Sequence, residues 1–447
     1  MKAGGNAARD SGWPDDLLRP VSELPDCSRL WVAFSGGLDS ALLLHVAASC
    51  RPDITALHIN HQLQPNHAQT EQFCRELCAD LGVPIVVERV AVAGVGSGAG
   101  GLEEAARSAR YQVFKQRLGH NDLLLMAHHA DDQVETVLFR LLRGTGVNGL
   151  AGMPRIRRLG QGQLVRPWLD VSRERLAQVA SAADMDWIED PSNASHAFDR
   201  NYLRHAVLPG LKARWPGLLK RISHSARACG ESEQLNRRLA ELQWQVCEDA
   251  GRLKIEPFGA LSEPEQRNLV RWWIHDQGWP LPALSDWGQA LADMLSAGDD
   301  REPEIRGEGF SLRRYRGHLY LVPGTVVPEQ STWLVPGQPL TWGRWYLQLV
   351  AEPATATAKT PPPPIRVSTR QGGERVRFAA GEHSRALKTW LQEQGVPPWE
   401  RALLPLVYRH QPGNTELIAI GDLWCSGQYS GGAHAGGWRL IVERDCD

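Results

Sequence analysis

An α/β protein with an N-terminal parallel-sheet domain, then a mostly helical middle domain and a small α+β C-terminal domain, is what this 447-residue sequence predicts. Three observations carry the prediction. Through the first half, short apolar runs alternate with segments of helical spacing, which implies repeated β-α units and a parallel sheet with helices on both faces. Near Trp215 this alternation stops and longer helical segments begin. An Ala/Thr-rich stretch ending in four prolines, residues 351–364, then reads as an extended, semi-rigid linker before a last module.

The elements follow in order. Residues 30–34 form a short apolar run that meets a Gly-rich turn, and residues 41–48 continue as a helix. Strands are expected at 54–59, 84–90 and 123–126, and helices at 67–81, 102–118 and 131–142. Ligands of such sheets bind beyond the carboxyl ends of the strands. Three loops therefore converge on one crevice: the Gly-rich turn, residues 58–61 and residues 128–132. Farther on, 222–250 reads as a long helix with mixed charges. Ser262-Glu263-Pro264-Glu265 is a capping box that opens a helix through Trp272 and Trp273, and 309–322 alternates as a hairpin. The domain limits expected are 1–28 as a flexible N-terminus with Gly- and Ala-rich, disordered residues 1–11, then 29–217, 218–350, the linker 351–364, and 365–447.

Composition narrows the class. The formal net charge is −2 and 42% of residues are apolar, so the chain buries sizeable cores and any nucleic-acid site is a local patch. Eight cysteines show neither zinc-ligand pairs nor a disulfide framework; Cys74 and Cys78, on a helical segment with Phe73, Leu77 and Leu81, read as partly buried thiols. No signal peptide or long apolar span is present, which predicts a cytoplasmic protein without membrane contact.

Ser35-Gly36-Gly37-Leu38-Asp39-Ser40 follows a strand and opens a helix. Glycines let the backbone approach phosphate oxygens, and exposed amides at the helix start face the negative charge. Ser35 and Ser40 add hydroxyl donors. Asp39 is out of place beside phosphates unless a cation lies between them, which assigns it to Mg²⁺. A plain Gly turn is the alternative. No Lys follows the second glycine, so this is not the Walker pattern; the loop resembles that of the ATP-pyrophosphatase superfamily, whose members adenylate an acceptor and release pyrophosphate.

In His128-His129-Ala130-Asp131-Asp132-Gln133-Val134-Glu135, Asp132 and Glu135 are three residues apart and share a helix face. Two carboxylates there suit an ammonium group, and one can later take its proton; they also suit a metal, or acids that merely favour a helix N-terminus. Arg107 and Arg110 precede Tyr111, and forked guanidinium groups fit phosphate. From Arg200 to Arg227 there are basic residues and no acidic ones, a phosphate-backbone contact or a solvated face.

The ordered set SGGLDS, HINHQL, EEAARSARY, HHADDQVET, RGTG, RPWL, EDPSN and RNYLR resembles the tRNA(Ile)-lysidine synthetase family of the PP-loop superfamily, over about residues 29–215. RQGGE at 370–374, Leu387-Lys388, GVPPWER at 395–401 and LPL at 404–406 resemble the C-terminal domain of its longer, three-domain form. The resemblance implies an adenine nucleotide alpha hydrolase-like (PP-loop) fold, a substrate-binding middle domain and a tRNA-binding C-terminal domain. It implies a ligase that forms a carbon–nitrogen bond. ATP adenylates the C2 oxygen of the first-anticodon-position cytidine of an isoleucine tRNA with a CAU anticodon; free L-lysine then attacks C2, releasing AMP after pyrophosphate.

Carried over position by position, Ser35, Gly36, Gly37, Leu38, Asp39, Ser40, His58, Arg107 and His128 bind ATP, with Asp39 on Mg²⁺ and Asn60 and His61 near the nucleotide. Asp132 and Glu135 hold the lysine and, with Asp39, form the catalytic set. Arg200, Arg204, Arg370, Arg377 and Lys388 contact tRNA; a homodimer is one arrangement open to the chain. Two residues depart from the family pattern: Gln64 stands where many relatives carry Arg, and Trp168 where Leu is commoner, the latter a packing change. A tRNA thiolase of the same superfamily needs paired cysteines near the loops, and none flanks them in sequence. A glutamine-dependent synthetase needs a glutaminase segment, and none is apparent. A non-catalytic RNA-binding relative should have lost Asp39, Asp132 or Glu135.

Overall fold

The computed structural model describes residues 12–63, 65–91, 99–189, 199–284, 286–298, 301–324, 328, 331–351, 364–378, 383–411, 414–430 and 438–444. The chain divides into two compact units, residues 1–236 and 237–447. The expected disorder of 1–11, residue Gln64, most of the EDPSN motif and most of the proline stretch lie outside the described residues.

The first unit is built on a six-stranded sheet. Its elements are α1 (Asp15–Ser22), β1 (Leu30–Ala33), α2 (Leu38–Cys50), β2 (Ile54–Asn60), α3 (His67–Asp80), β3 (Ile85–Arg89), α4 (Ala99–Arg117), β4 (Leu123–Leu125), α5 (Ala130–Leu142), α6 (Val147–Leu150), β5 (Ile156–Leu159), β6 (Gly162–Val165) and α7 (Arg173–Ala182). The strand order is β3-β2-β1-β4-β6-β5. All pairs are parallel except β5 with β6. The chain winds outward from β1 to β3, then returns to place β4 on the other side of β1. That reversal between β1 and β4 opens a crevice at their carboxyl ends. Helix α2 is apolar nearly all round, with Ala41, Leu42, Leu43, Leu44, Val46 and Ala47 fully buried, as suits a helix packed within the core.

Residues 15–22, expected within a flexible N-terminus, instead form a helix. Helix α1 buries Leu17 and Val21 completely in the core under α2. Trp168, fully buried, donates its indole N–H to the Leu17 carbonyl at 3.0 Å. The unusual Trp in the RPWL motif thus anchors the N-terminal helix.

After α8 (Asp199–Tyr202), a π-helical turn at Leu203–Val207, α9 (Leu208–Arg214) and α10 (Leu218–Cys247) follow. In the second unit, β7 (Glu248–Asp249), β8 (Arg252–Lys254), α11 (Ile255–Gly259), α12 (Glu263–Asp276), α13 (Trp287–Ser296), β9 (Glu304–Gly307), β10 (Phe310–Tyr315) and β11 (His318–Pro323) form an antiparallel sheet with helices packed on it. The expected capping box at Ser262 and Glu265 opens α12, and the expected hairpin is β10–β11.

The boundary expected at 350 falls inside a single core. Strand β12 (Ser331–Leu334) pairs with β15 (Ile365–Ser368), and β14 (Trp345–Ala351), which also pairs with β13 (Leu340–Trp342), pairs along its whole length with the last strand, Trp438–Arg444. Leu334, Trp342, Trp345, Leu347 and Leu349 share one apolar cluster with Val367, Leu391, Leu406 and Ile420. Residues 331–351 therefore share one core with the C-terminal module.

Candidate active site

The loop after β1 is shaped by its own hydroxyls. Ser40 Oγ donates to the Gly37 carbonyl at 3.0 Å and accepts from the Ser35 amide at 3.2 Å, while the two serine hydroxyls lie 3.0 Å apart. Gly36 has φ +87°. A Cβ there would stand 3.2 Å from Cys74 Sγ and 3.3 Å from the Thr70 methyl, so glycine is required on both counts. Gly37 is the N-cap of α2 and no side chain caps it. The first-turn amides of α2, Leu38, Asp39 and Ser40 among them, are therefore left to an external acceptor.

His58 lies near the carboxyl end of the adjacent strand, β2. Its Nδ1 donates to the Phe34 carbonyl at 2.9 Å, and burial lowers its pKa, so the ring is neutral with Nε2 as acceptor. Asn60 donates to Glu71 at 2.9 Å and accepts from the Gln62 amide at 3.0 Å, which holds Gln62 at φ +56°. Glu71 is buried and also receives Arg75 and Arg89; the hydrogen bonds from Arg89 and Asn60 pull its pKa down to about 2. Glu71 therefore stabilises the fold fully above the ordinary 4.5, and this contribution fades as pH falls towards 2. Glu71→Gln should be less stable than the parent at pH 7, with the gap narrowing in urea titrations taken from pH 4.5 to 3. A gap of constant size would show that the charge of Glu71 is not its source.

The second loop follows β4. His129 is the N-cap of α5: its Nδ1 accepts from the Asp132 amide at 3.3 Å, and its own amide donates to Asp132 Oδ2 at 3.1 Å. His129 Nε2 lies 3.4 Å from Asp132 Oδ2 and 3.7 Å from Asp39 Oδ2, which bridges the two loops. Asp131 turns away and accepts from the Arg173 amide and from Lys212, so it ties α5 to α7 and α9. Of the acidic pair at the helix start, one residue is structural and the other faces the site.

Asp132 and Glu135 share a helix face as expected, and both meet Arg204. Arg204 Nε donates to Glu135 Oε1 at 2.6 Å, and Nη2 donates to Glu135 Oε2 at 2.9 Å and to Asp132 Oδ1 at 3.0 Å. Glu135 is 1% exposed. Burial opposes ionisation of Asp132, yet His129, His128 and Arg204 outweigh it and its pKa is lowered. Burial raises the pKa of Asp39 despite the pull of His129. Asp39 Oδ1 is buried and accepts no hydrogen bond among the described residues.

The structure places Ser35, Asp39, Ser40, His58, His128, Asp132 and Glu135 at or just beyond the carboxyl-end side of β1, β2 and β4, on the connecting loops and the first turns of α2 and α5. Arg204, expected from sequence on tRNA, is instead turned inward onto the carboxylates. Arg200 bonds Thr136 on α5 at 3.1 Å. Arg107 lies with its guanidinium carbon 5.0 Å from the Tyr111 ring centre, and His128 accepts from Arg166 at 3.3 Å, its pKa lowered by burial to about 3. In the C-terminal module Arg370 is held by Glu374 at 3.3 Å, whereas Arg377 and Lys388 are exposed. Sequence reasoning missed His129, Glu71 and the inward role of Arg204. The double histidine and RNYLR were visible, but only the fold shows which side chains turn inward.

Cysteine placement bears on the thiolase alternative. Cys74, distant in sequence from the Gly-rich turn, lies directly under Gly36 and 3.5 Å from His58. Burial pushes its thiol up to about 12 and that of Cys78 to about 11, so both are inert packing groups. No helix among the described residues is long and apolar enough to cross a membrane.

An uncapped, glycine-lined helix start at the switch point of a parallel sheet is a phosphate-binding arrangement, and the PP-loop domain family matches residues 15–211. The TilS substrate binding domain matches 253–320 and the TilS substrate C-terminal domain 365–442. The chain is 40% identical to a tRNA(Ile)-lysidine synthase of Pseudomonas aeruginosa, over 95% of each chain. It is 36% identical to one of Coxiella burnetii, over 96% of each. The chain belongs to the tRNA(Ile)-lysidine synthase family. Among solved structures, the U34-tRNA thiolase NcsA of Methanococcus maripaludis aligns over 48% of this chain and 78% of its own, with 14% identity and a TM-score of 0.40.

Proposed function

We propose that the crevice joins lysine to an isoleucine tRNA in two steps that use opposite ends of one site. In the first, the C2 oxygen of the first-anticodon-position cytidine attacks the α-phosphorus of ATP, and the bond to pyrophosphate breaks. Ser35, Ser40 and the α2 amides take the pyrophosphate oxygens, and Arg107 offsets their charge. Asp39 is the residue that would hold a Mg²⁺. Its Oδ1 has no partner, and no group of three or more His, Cys, Asp or Glu among the described residues holds a metal by itself. Such an ion would supply charge neutralisation.

In the second step the ε-amine of lysine attacks C2 and the C2–oxygen bond breaks, releasing AMP. The amine arrives as an ammonium, with an ordinary pKa of about 10.4, and must give up a proton before it attacks. Asp132 and Glu135 attract the ammonium and one of them accepts that proton. Arg204 keeps both carboxylates in position. The single observation that carries this reading is His129, whose Nε2 lies 3.4 Å from Asp132 and 3.7 Å from Asp39 and so joins the carboxylate pair to the phosphate-loop acid. The test is pyrophosphate release from ATP with isoleucine tRNA, run with and without lysine.

The exposed basic residues of the C-terminal module serve tRNA binding and not chemistry. The double variant Arg377→Ala, Lys388→Ala should weaken tRNA affinity and flatten its salt dependence by about 0.7 log unit per log unit of salt for each single-strand phosphate no longer neutralised. The rate at saturating tRNA should stay unchanged. An unaltered salt slope would remove these two residues from the interface.

A further inference from the structure

A second cluster of charge lies at the same end of the sheet, beyond the phosphate loop. Strand β5 runs antiparallel to β6, so its first residues stand at the carboxyl ends of the parallel strands; Arg157 pairs with Leu164 there. The Tyr111 ring has the Arg157 guanidinium carbon 4.9 Å from its centre and that of Arg107 at 5.0 Å. Arg166, 2% exposed, follows β6 and donates to His128 at 3.3 Å and to the Pro154 carbonyl at 2.7 Å. Arg140 on α5 spends its Nη1 on the carbonyls of Gly149 and Gly152. Among the described residues, none of Arg107, Arg140, Arg157 and Arg166 forms an ion pair with a carboxylate. Partly buried guanidiniums are ordinarily paired, and four together without an acid call for an external anion.

Two phosphate sources are at hand, ATP and tRNA. Strand spacing of about 4.8 Å places β5, three strands from β1, roughly 14 Å from the phosphate loop. The backbone of Arg157 thus stands three strands away from the amides proposed to seat the pyrophosphate, which favours tRNA as the source of the phosphate at that residue. We propose that Arg157, stacked on Tyr111 beside Arg107 and Arg166, binds a phosphodiester of the substrate tRNA next to the reacting base. This deepens the reading above and rests on it. Contact with Tyr111 restrains the Arg157 guanidinium and leaves part of its fork to phosphate oxygens, so the site fixes the register in which the base enters the crevice.

The experiment measures tRNA affinity across a salt series, and ATP affinity without tRNA, for the full chain and for Arg157→Ala and Arg157→Lys. Arg157→Ala should bind isoleucine tRNA several-fold more weakly, with a salt slope lower by about 0.7, and bind ATP as the parent does. Arg157→Lys, which keeps the charge, should retain the slope while losing part of the affinity. A fall in ATP affinity with tRNA binding intact would assign the cluster to ATP and overturn the proposal. So would an unchanged tRNA slope in Arg157→Ala, and so would loss of slope in Arg157→Lys. Failure of the parent itself to bind isoleucine tRNA would instead overturn the underlying function.

Discussion

Asp39→Asn should lower tRNA-dependent pyrophosphate release by about 10²–10³-fold, the scale seen when one preorganised charge-stabilising group is removed. The amide is the same size, so the loop bonds among Ser35, Gly37 and Ser40 survive. What disappears is the anionic Oδ1, buried and without a partner, the atom placed to meet a cation. Removing a carboxylate whose pKa burial already raises should leave the fold as stable as before or more so. A melting temperature at or above that of the parent, with pyrophosphate release lowered by that factor, is the expected pair of results. Release at the parent rate would take Asp39 out of the chemistry.

Glu135→Gln should separate the half-reactions. The amide keeps an oxygen for Arg204 but loses the charge that attracts an ammonium, and cannot act as base. Losing a hydrogen bond to a charged group costs roughly 1.5–3 kcal/mol, so KM for lysine should rise about 10- to 100-fold. Lysine-independent pyrophosphate release should change little. Arg204 pairs with both carboxylates, so some stability is lost too, and the assays should be run well below the melting temperature. Equal loss in both half-reactions would move Glu135 to the nucleotide. No loss in either would make it a structural partner of Arg204.

The parallel sheet and its three converging loops were legible because period and turn chemistry are local: apolar runs, glycines and acidic helix starts lie within a few residues of one another. The roles of individual charges were not. Asp131 and Asp132 are adjacent and chemically alike, yet one bonds Arg173 and Lys212 and the other faces Arg204. Arg204 lies in a basic stretch that reads as a solvated face, and only the packing of the π-helical turn against α5 brings it inward. Cys74 came under Gly36 through a helix that sequence distance does not reveal. The C-terminal boundary was misplaced for the same reason. The pairing of β14 with the last strand joins residues about ninety positions apart, whereas the proline run between them looks, locally, like a border.

The central claim is that activation of the base precedes amine attack and does not depend on it. The most direct measurement is pyrophosphate release from ATP by the full chain with isoleucine tRNA and no lysine, followed by addition of lysine to the same sample. The expected result is tRNA-dependent release without lysine, then AMP and one lysine incorporated per activated tRNA. Pyrophosphate that appears only when lysine is present, or equally without tRNA, would contradict it.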